Sequence, residues 1–144
     1  TCKVVQEVTI ASPSRPRLRM DLLLEARFGE PTQIIELKRG SHLLLARRGQ
    51  PAERSSRDLT KAVAQLVGYG DRIGSDQAAA SAIEARHGLR FHHTELRLVA
   101  GRKPAGAHAY HLLSLAERGP SASDMQLRIY TWDAFLAELE RILT

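Results

Sequence analysis

Cysteine, aromatic residues and long apolar runs are all scarce in this sequence. Its 144 residues contain a single cysteine, Cys2, which excludes an internal disulfide framework and a cysteine-rich zinc site. No apolar stretch approaches the roughly 18–20 residues that a membrane-spanning helix needs, and the first residues lack the charged-then-apolar layout of a secretory signal. We therefore expect a cytoplasmic protein that has no membrane partner.

Acidic residues are outnumbered by basic ones, 16 against 21, so the formal net charge is +5. Most of the basic residues are arginines, whose planar guanidinium suits phosphate groups. This balance is compatible with binding to nucleic acid, although many basic domains simply have a solvated surface. Aromatic residues make up only 5% of the chain, which favours contact with the nucleic-acid backbone over the reading of bases.

The length and the apolar content predict one packed domain over residues 1–144. The hydrophobic fraction is 43%, which is enough for a core, and two full domains would be a strain at this length. The chain begins at Thr1 rather than at methionine. We therefore expect a processed product or a domain of a longer protein, with regulatory regions outside this sequence.

Short β-branched runs bounded by turn residues predict strands, and runs with a period near 3.6 predict helices. Short links join the first three strands, which indicates an antiparallel meander, and the run 43–45 is a candidate extension of the third strand. Trp132 and Phe135, at the start of the last helix, are interpreted as core anchors. The predicted order is β-β-β-α-β-α-β-α, a mixed α/β sandwich in which the adjacent helical stretches 58–73 and 76–86 count as one element. The predicted strands are 4–10, 17–26, 33–38, 94–100 and 125–130, and the predicted helices are 58–73, 76–86, 107–118 and 132–143.

Three charged residues interrupt apolar strands. Glu36 and Lys38 lie in the third predicted strand, and because side chains alternate along a strand they point to the same face. Asp21 similarly interrupts the leucine-rich second strand. A carboxylate inside each of two neighbouring apolar strands is costly unless something compensates its charge. A divalent cation between Asp21 and Glu36 would do so, and Mg²⁺ is suitable because it takes oxygen ligands and keeps several waters.

This arrangement predicts chemistry on a phosphodiester. A bound magnesium polarises the phosphate and helps to generate or orient the attacking hydroxide, while Lys38 stabilises the developing negative charge or positions the nucleophile. The alternative is a surface ion pair, since Glu-x-Lys is common on half-buried strands. Gln65 and Tyr69 lie four residues apart and share a face of the next helix. The alternative there is an ordinary polar face.

The order of these elements resembles the motif series of the PD-(D/E)XK nucleases. Asp21 is followed by the segment 34–38 (IIELK), and this in turn by the segment 65–69 (QLVGY). Within that superfamily the chain most resembles the nuclease domain of the Shedu antiphage-defence proteins. Three further segments carry the similarity, which spans about residues 15–143: they are 19–21 (RMD), 99–102 (VAGR) and 129–133 (IYTWD).

The resemblance implies a restriction-endonuclease-like fold, with a mixed central sheet flanked by helices, and a magnesium-dependent endodeoxyribonuclease of bacterial antiphage defence. Mn²⁺ is expected to substitute for Mg²⁺, DNA is the expected partner, and a homo-oligomer is the expected assembly. Asp21 and Glu36 would be metal ligands, Lys38 the catalytic lysine, and Gln65 a support of the active site. Relatives often have a further acidic residue on a helix before the first strand. Glu7 is the only early candidate here, and it lies in a predicted strand.

Basic residues near these motifs are candidates for contact with DNA phosphates. One group precedes or alternates with the strand positions around Asp21, and a second group lies in the loop after the Glu-x-Lys strand. For each arginine the alternative is a solvated surface residue. The candidates are Arg15, Arg17, Arg19, Arg47, Arg48, Arg54 and Arg57, together with Tyr69.

Two other functions stay open for a domain of this kind. One is a catalytically silent domain that binds nucleic acid or oligomerises; the intact set of Asp21, Glu36 and Lys38 argues against it. The other is a structure-selective resolvase of branched DNA, which a comparison of linear, nicked and branched substrates would distinguish.

Overall fold

The computed structural model describes residues 3–25, 30–40, 45–46, 54–55, 57–102, 117 and 125–143. None of the helices in these ranges is long and apolar enough to cross a membrane. The strands are β1 (Lys3–Ser12), β2 (Arg15–Glu25), β3 (Thr32–Leu37), β4 (Leu45–Ala46), β5 (Arg54–Ser55), β6 (Glu95–Val99) and β7 (Leu127–Tyr130). The helices are α1 (Arg57–Ser75), α2 (Gln77–His87) and α3 (Trp132–Leu143).

Five of these strands form one mixed sheet in the order β1-β2-β3-β6-β7. β1, β2 and β3 are antiparallel neighbours, which confirms the predicted meander, whereas β3, β6 and β7 are parallel. Parallel neighbours need a crossover connection, and α1 and α2 lie between β3 and β6 in the chain. β4 and β5 form a separate two-stranded sheet. The predicted mixed α/β class is therefore confirmed.

The structure separates the two helical stretches that the predicted order counts as one element. Asp76 is the N-cap of α2, and its side chain accepts a hydrogen bond of 3.0 Å from the amide of Ala79. α2 ends at Gly88, as predicted, because Gly88 adopts the left-handed conformation with φ of 62°. The predicted helix 107–118 lies outside the described residues, apart from Glu117, which is in a turn.

β3 ends at Leu37 and does not continue as a described strand toward 43–45. The carbonyl oxygen of Lys38 accepts a hydrogen bond from the indole of Trp132 instead of from a neighbouring strand, and Gly40 lies in a turn. Leu45 belongs to β4, which pairs with β5. In the described residues, backbone hydrogen bonds to the segment 99–101 continue only as far as Arg39.

The sheet buries a different set of apolar residues on each face. Alternation along β3 directs Ile34 toward α1 and α2, and Ile35 toward α3. Both are buried because helices cover both faces of the sheet at this strand. The larger cluster includes Val8, Met20, Leu23, Ile34, Leu59, Leu66, Leu96 and Leu98, and the smaller one consists of Leu24, Ile35, Val99 and Phe135.

The alternation of side chains in the β1–β2 hairpin is broken beside Asp21. Met20 and Leu23 belong to the same buried cluster although they are three residues apart, so β2 changes faces between them. On β1, Glu7 lies between the partners of Met20 and Leu22 and has a φ of 53°, an uncommon conformation for a residue with a side chain. The pairing of β2 with β3 extends only to Leu22. Asp21 therefore lies where β2 leaves β3.

Two glycines of α1 differ in the space around them, which predicts opposite effects of alanine. A Cβ on Gly70 would meet Leu96 and Met125 at 3.0 and 3.1 Å, whereas a Cβ on Gly68 would meet no described residue within 4 Å. Gly68→Ala is expected to stabilise the protein by about 1 kcal/mol through helix propensity. Gly70→Ala is expected to destabilise it by about 1–2 kcal/mol through overpacking. Urea denaturation measures both, and equal stabilities would contradict the close approach of α1 to β6.

Candidate active site

Glu36 is a buried carboxylate in the middle strand of the sheet. Its side chain is 3% exposed, and it lies on the face of β3 that α1 covers. Glu36 Oε1 lies 3.0 Å from Lys38 Nζ. Glu36 Oε2 is buried and has no hydrogen-bond partner among the described residues. In the described residues this oxygen therefore has no partner with full hydrogen-bond geometry, although the Tyr69 hydroxyl lies near enough to lower the pKa of Glu36 by a hydrogen bond.

Asp21 reaches the same region from β2. Its Oδ2 atom accepts a hydrogen bond of 2.8 Å from the amide of Leu37. That contact comes just beyond the last β2–β3 pair, Leu22 with Ile35, so the side chain of Asp21 takes the place of a backbone carbonyl. This hydrogen bond fixes the Asp21 carboxylate beside Glu36. The negative charge of Asp21 raises the pKa of Glu36.

Lys38, Gln65 and Tyr69 form a chain of hydrogen bonds on the other side of Glu36. Lys38 Nζ donates to Gln65 Oε1 at 3.1 Å, and Gln65 Nε2 donates to the Tyr69 hydroxyl oxygen at 2.7 Å. The two α1 residues can meet in this way because they are one helical turn apart. The ammonium group of Lys38 is thereby held between Glu36 and Gln65.

Burial dominates the electrostatics of the site. It raises the pKa of Glu36 above the ordinary 4.5, and the charge of Asp21 adds to this rise. The hydrogen bond and charge of Lys38 lower the pKa, as does a hydrogen bond with the Tyr69 hydroxyl. Burial and the negative charge of Glu36 also raise the pKa of Tyr69 from 10.0 to about 12. Tyr69 therefore stays protonated at neutral pH, and the site contains one buried carboxylate whose charge is only partly compensated.

The two carboxylates suit a hydrated divalent cation better than a metal held entirely by protein. In the described part of the chain, no group of three or more histidine, cysteine, aspartate or glutamate side chains could hold a metal ion. Mg²⁺ commonly uses one or two carboxylates together with waters and phosphate oxygens. Glu36 Oε2, which has no partner with full hydrogen-bond geometry in the described part of the chain, is a buried oxygen of the required kind. Asp21 and Glu36 therefore fit such an ion.

The arginines of β2 lie at the surface. Arg15, Arg17 and Arg19 are all exposed. Arg15 donates a hydrogen bond of 3.2 Å to Ser75, and Arg19 forms an ion pair with Glu7, whose side chain is 67% exposed. Glu7 lies in a strand, as predicted, and its carboxylate is engaged by an arginine on the hairpin surface.

The other candidates for contact with DNA differ in their surroundings. Arg57, the first residue of α1, is exposed. Arg54 belongs to β5, whereas Arg47 and Arg48 lie outside the described residues. Tyr69 is 2% exposed, so its side chain forms part of the wall of the site. The structure brings Tyr69 together with the carboxylates.

Sequence reasoning missed the contact of Trp132 with this site. The sequence predicts a core anchor at this position, and the ring does pack with the smaller buried cluster. In addition, its indole Nε1 donates a hydrogen bond of 2.7 Å to the carbonyl of Lys38. No spacing rule connects residues 94 positions apart, so only the fold reveals the contact.

Comparison with known proteins gives no family for this chain. No protein-family model matches the sequence, and no curated protein matches it at a significant level. The chemical interpretation therefore depends on the side chains themselves and on the motifs they form.

Replacing Glu36 with glutamine is expected to stabilise the metal-free protein at neutral pH. The pKa of Glu36 in the folded state lies above 4.5, its value in the unfolded state. The free energy of unfolding therefore falls as the pH rises from the unfolded-state pKa through the folded-state pKa, because the buried carboxyl must ionise. Below pH 4.5 the carboxyl is protonated in both states, and this loss is absent. At pH 7, Glu36→Gln should raise the free energy of unfolding by a value on the order of 1 kcal/mol and the melting temperature by about 2–4 °C. At pH 4 both increases should be smaller.

Thermal denaturation in EDTA at both pH values measures this effect. Glu7→Gln is the control, because its carboxylate lies on the surface, and we expect a change within about 0.5 kcal/mol. A Glu36→Gln protein that is less stable than the wild type at pH 7 would mean that the ion pair with Lys38 outweighs the burial of the charge.

Proposed function

We propose that this domain is a metal-dependent nuclease that hydrolyses phosphodiester bonds in DNA. The observation that carries the proposal is the buried carboxylate of Glu36: one oxygen lies 3.0 Å from Lys38 Nζ, and the other has no partner with full hydrogen-bond geometry in the described residues. Asp21 lies near enough for its charge to raise the pKa of Glu36. Two neighbouring, partly buried carboxylates weaken a fold unless they are compensated. A cation and the phosphate it binds would compensate them, with the lysine already beside them.

Each side chain has a distinct role in this proposal. Asp21 and Glu36 hold Mg²⁺, with Mn²⁺ as a substitute, and the bound ion supplies Lewis-acid polarisation of the phosphate and a more acidic water molecule. Lys38, whose side chain is 28% exposed, reaches the phosphate and stabilises the negative charge that develops on its oxygens. Gln65 orients the ammonium group of Lys38, and Tyr69 orients Gln65.

The basic face of α1 supports nucleic acid as the substrate. Arg57, Lys61 and Gln65 follow one another at intervals of one turn, so they share a face of the helix, and all three are exposed. This face leads from two positive side chains to the residue that contacts Lys38. Phosphates spaced along a DNA strand match such a row of charges. Backbone contacts carry no sequence information directly, so we propose cleavage without a strong base preference.

The finer biological assignment rests on the sequence motifs. The similarity of 34–38 and 65–69 to PD-(D/E)XK nucleases, and of the chain to the Shedu nuclease domain, supports a homo-oligomeric endonuclease of bacterial antiphage defence. A restriction-endonuclease-like order of elements belongs to the same proposal. The position of β3 between the antiparallel β2 and the parallel β6 is compatible with it.

Cleavage of supercoiled plasmid in the presence of Mg²⁺ tests the proposal. We expect nicked or linear products from the wild type, and a loss of rate of about 100-fold or more in EDTA, in Lys38→Ala and in Asp21→Asn. Asp21→Asn is a sharp variant, because an asparagine oxygen can still accept the hydrogen bond from Leu37 while the charge is lost. Retained folding, checked by circular dichroism, separates a loss of chemistry from a loss of structure.

The choice of substrates distinguishes the alternatives. Activity confined to branched DNA would indicate a resolvase. Binding of DNA by the wild type with no cleavage in Mg²⁺ or Mn²⁺ would indicate a catalytically silent domain. Cleavage that survives both EDTA and Lys38→Ala would contradict the proposed chemistry.

Neutralising the basic face of α1 should lower the salt dependence of DNA binding. Each phosphate contact contributes about 0.9 to the slope of log K against log salt concentration, so the double variant Arg57→Gln/Lys61→Gln should reduce that slope by about 2. Fluorescence anisotropy with labelled DNA in EDTA measures the slope. The matched control is Arg86→Gln/Arg90→Gln, which removes two exposed charges at the end of α2 and just beyond it. Equal slopes for the two double variants would contradict a phosphate track along α1.

A further inference from the structure

The only tryptophan of the chain contacts the segment that bears Glu36 and Lys38. Trp132 is the first residue of α3, and its indole Nε1 donates a hydrogen bond of 2.7 Å to the carbonyl oxygen of Lys38. Its Cδ1 lies 3.6 Å from the position that a Cβ on Gly40 would occupy. The indole therefore lies against the backbone that immediately follows the Glu-x-Lys pattern.

The backbone of Lys38 is fixed at both of its polar groups. Its amide donates to the carbonyl of Val99 at 2.8 Å, which continues the parallel pairing of β3 and β6 by one residue. Its carbonyl accepts from the indole of Trp132. One residue further, the carbonyl of Arg39 accepts a hydrogen bond of 3.2 Å from the amide of Gly101. Together these bonds determine the point from which the Lys38 side chain extends toward Glu36.

Trp132 is itself held in place at the start of α3. Its amide donates to the carbonyl of Gly101 at 3.1 Å. Thr131 caps the helix by accepting a hydrogen bond of 3.3 Å from the amide of Ala134. The indole packs edge-on against Phe135, with ring centroids 6.1 Å apart. A shift of the indole away from Lys38 would therefore disturb the first turn of α3.

We infer that Trp132 is a positioning residue of the proposed nuclease, whose indole N–H holds the Lys38 carbonyl and thereby orients the Lys38 ammonium group. The inference rests on the proposed function, because the orientation of that group affects a rate only if it acts on a substrate. A displacement of about 1 Å far from the reacting atoms can lower a rate about 100-fold. Since Trp132 acts through the backbone of Lys38, its loss should affect turnover and not the binding of DNA.

Trp132→Phe removes the donor and keeps an aromatic ring in the core. We expect the kcat of Mg²⁺-dependent cleavage by the full chain to fall about 10- to 100-fold, with the KM for DNA within about twofold of the wild-type value. Leu139→Ala is the matched control, because it removes packing from the same cluster further along α3. It should lower the melting temperature at least as much as Trp132→Phe does and leave kcat within about twofold.

Because the chain has one tryptophan, an analogue that differs from it at a single position of the indole ring gives a sharper test. Biosynthetic replacement with 3-benzothienylalanine puts sulfur in place of the ring N–H and keeps the shape of the side chain. Replacement with 4-fluorotryptophan keeps the N–H and controls for incorporation. The sulfur analogue should reproduce the loss of kcat of Trp132→Phe, and the fluorinated analogue should not.

The outcomes separate this role from the nuclease proposal. A wild-type kcat in Trp132→Phe or in the sulfur analogue overturns the positioning role and leaves the nuclease proposal standing. An equal loss of kcat in Leu139→Ala also overturns it, because the effect would then follow from packing. A wild-type protein that binds DNA and does not cleave it with Mg²⁺ or Mn²⁺ overturns both.

Discussion

The Glu36 carboxylate is buried away from water, and the rest of the site depends on this constraint. A charge this deeply buried needs partners. Lys38 contacts one oxygen, and in the described residues the other has no partner with full hydrogen-bond geometry. Asp21 adds negative charge instead of removing it. In the proposed function, a cation and an anionic substrate restore the stability that this arrangement gives up.

Three elements meet at the Glu36 carboxylate, and a different interaction holds each of them in place. β3 carries Glu36 as part of the sheet, α1 contributes Gln65 and Tyr69, which lie one helical turn apart, and β2 contributes Asp21 where the two strands separate. The separation is important because a strand that stayed paired would offer a backbone carbonyl to the amide of Leu37. Since β2 diverges, that amide binds a carboxylate and fixes its position.

Sequence reasoning identified the groups of the site better than it identified how they are held. Alternation along a strand places Glu36 and Lys38 on one face, and the spacing of four places Gln65 and Tyr69 on one side of a helix, because both patterns are set by local backbone geometry. The change of face in β2 was not predictable, since it coincides with a left-handed conformation at Glu7, a residue type that rarely adopts it. The helix boundary at Asp76 lies near its predicted position because an aspartate cap is a local signal. The family of this chain and its activity stay predictions.

The hydrogen bond between Trp132 and Lys38 also links the ultraviolet emission of the protein to this site. With one indole in the chain, ultraviolet emission arises from a single place, and that place adjoins the segment bearing Glu36. Indole emission responds to local electric fields and to the state of its N–H hydrogen bond. A change of charge at Glu36, or a shift of the backbone after it, should therefore alter the emission spectrum. In the proposed function, this single tryptophan reports the occupancy of the site in unlabelled protein.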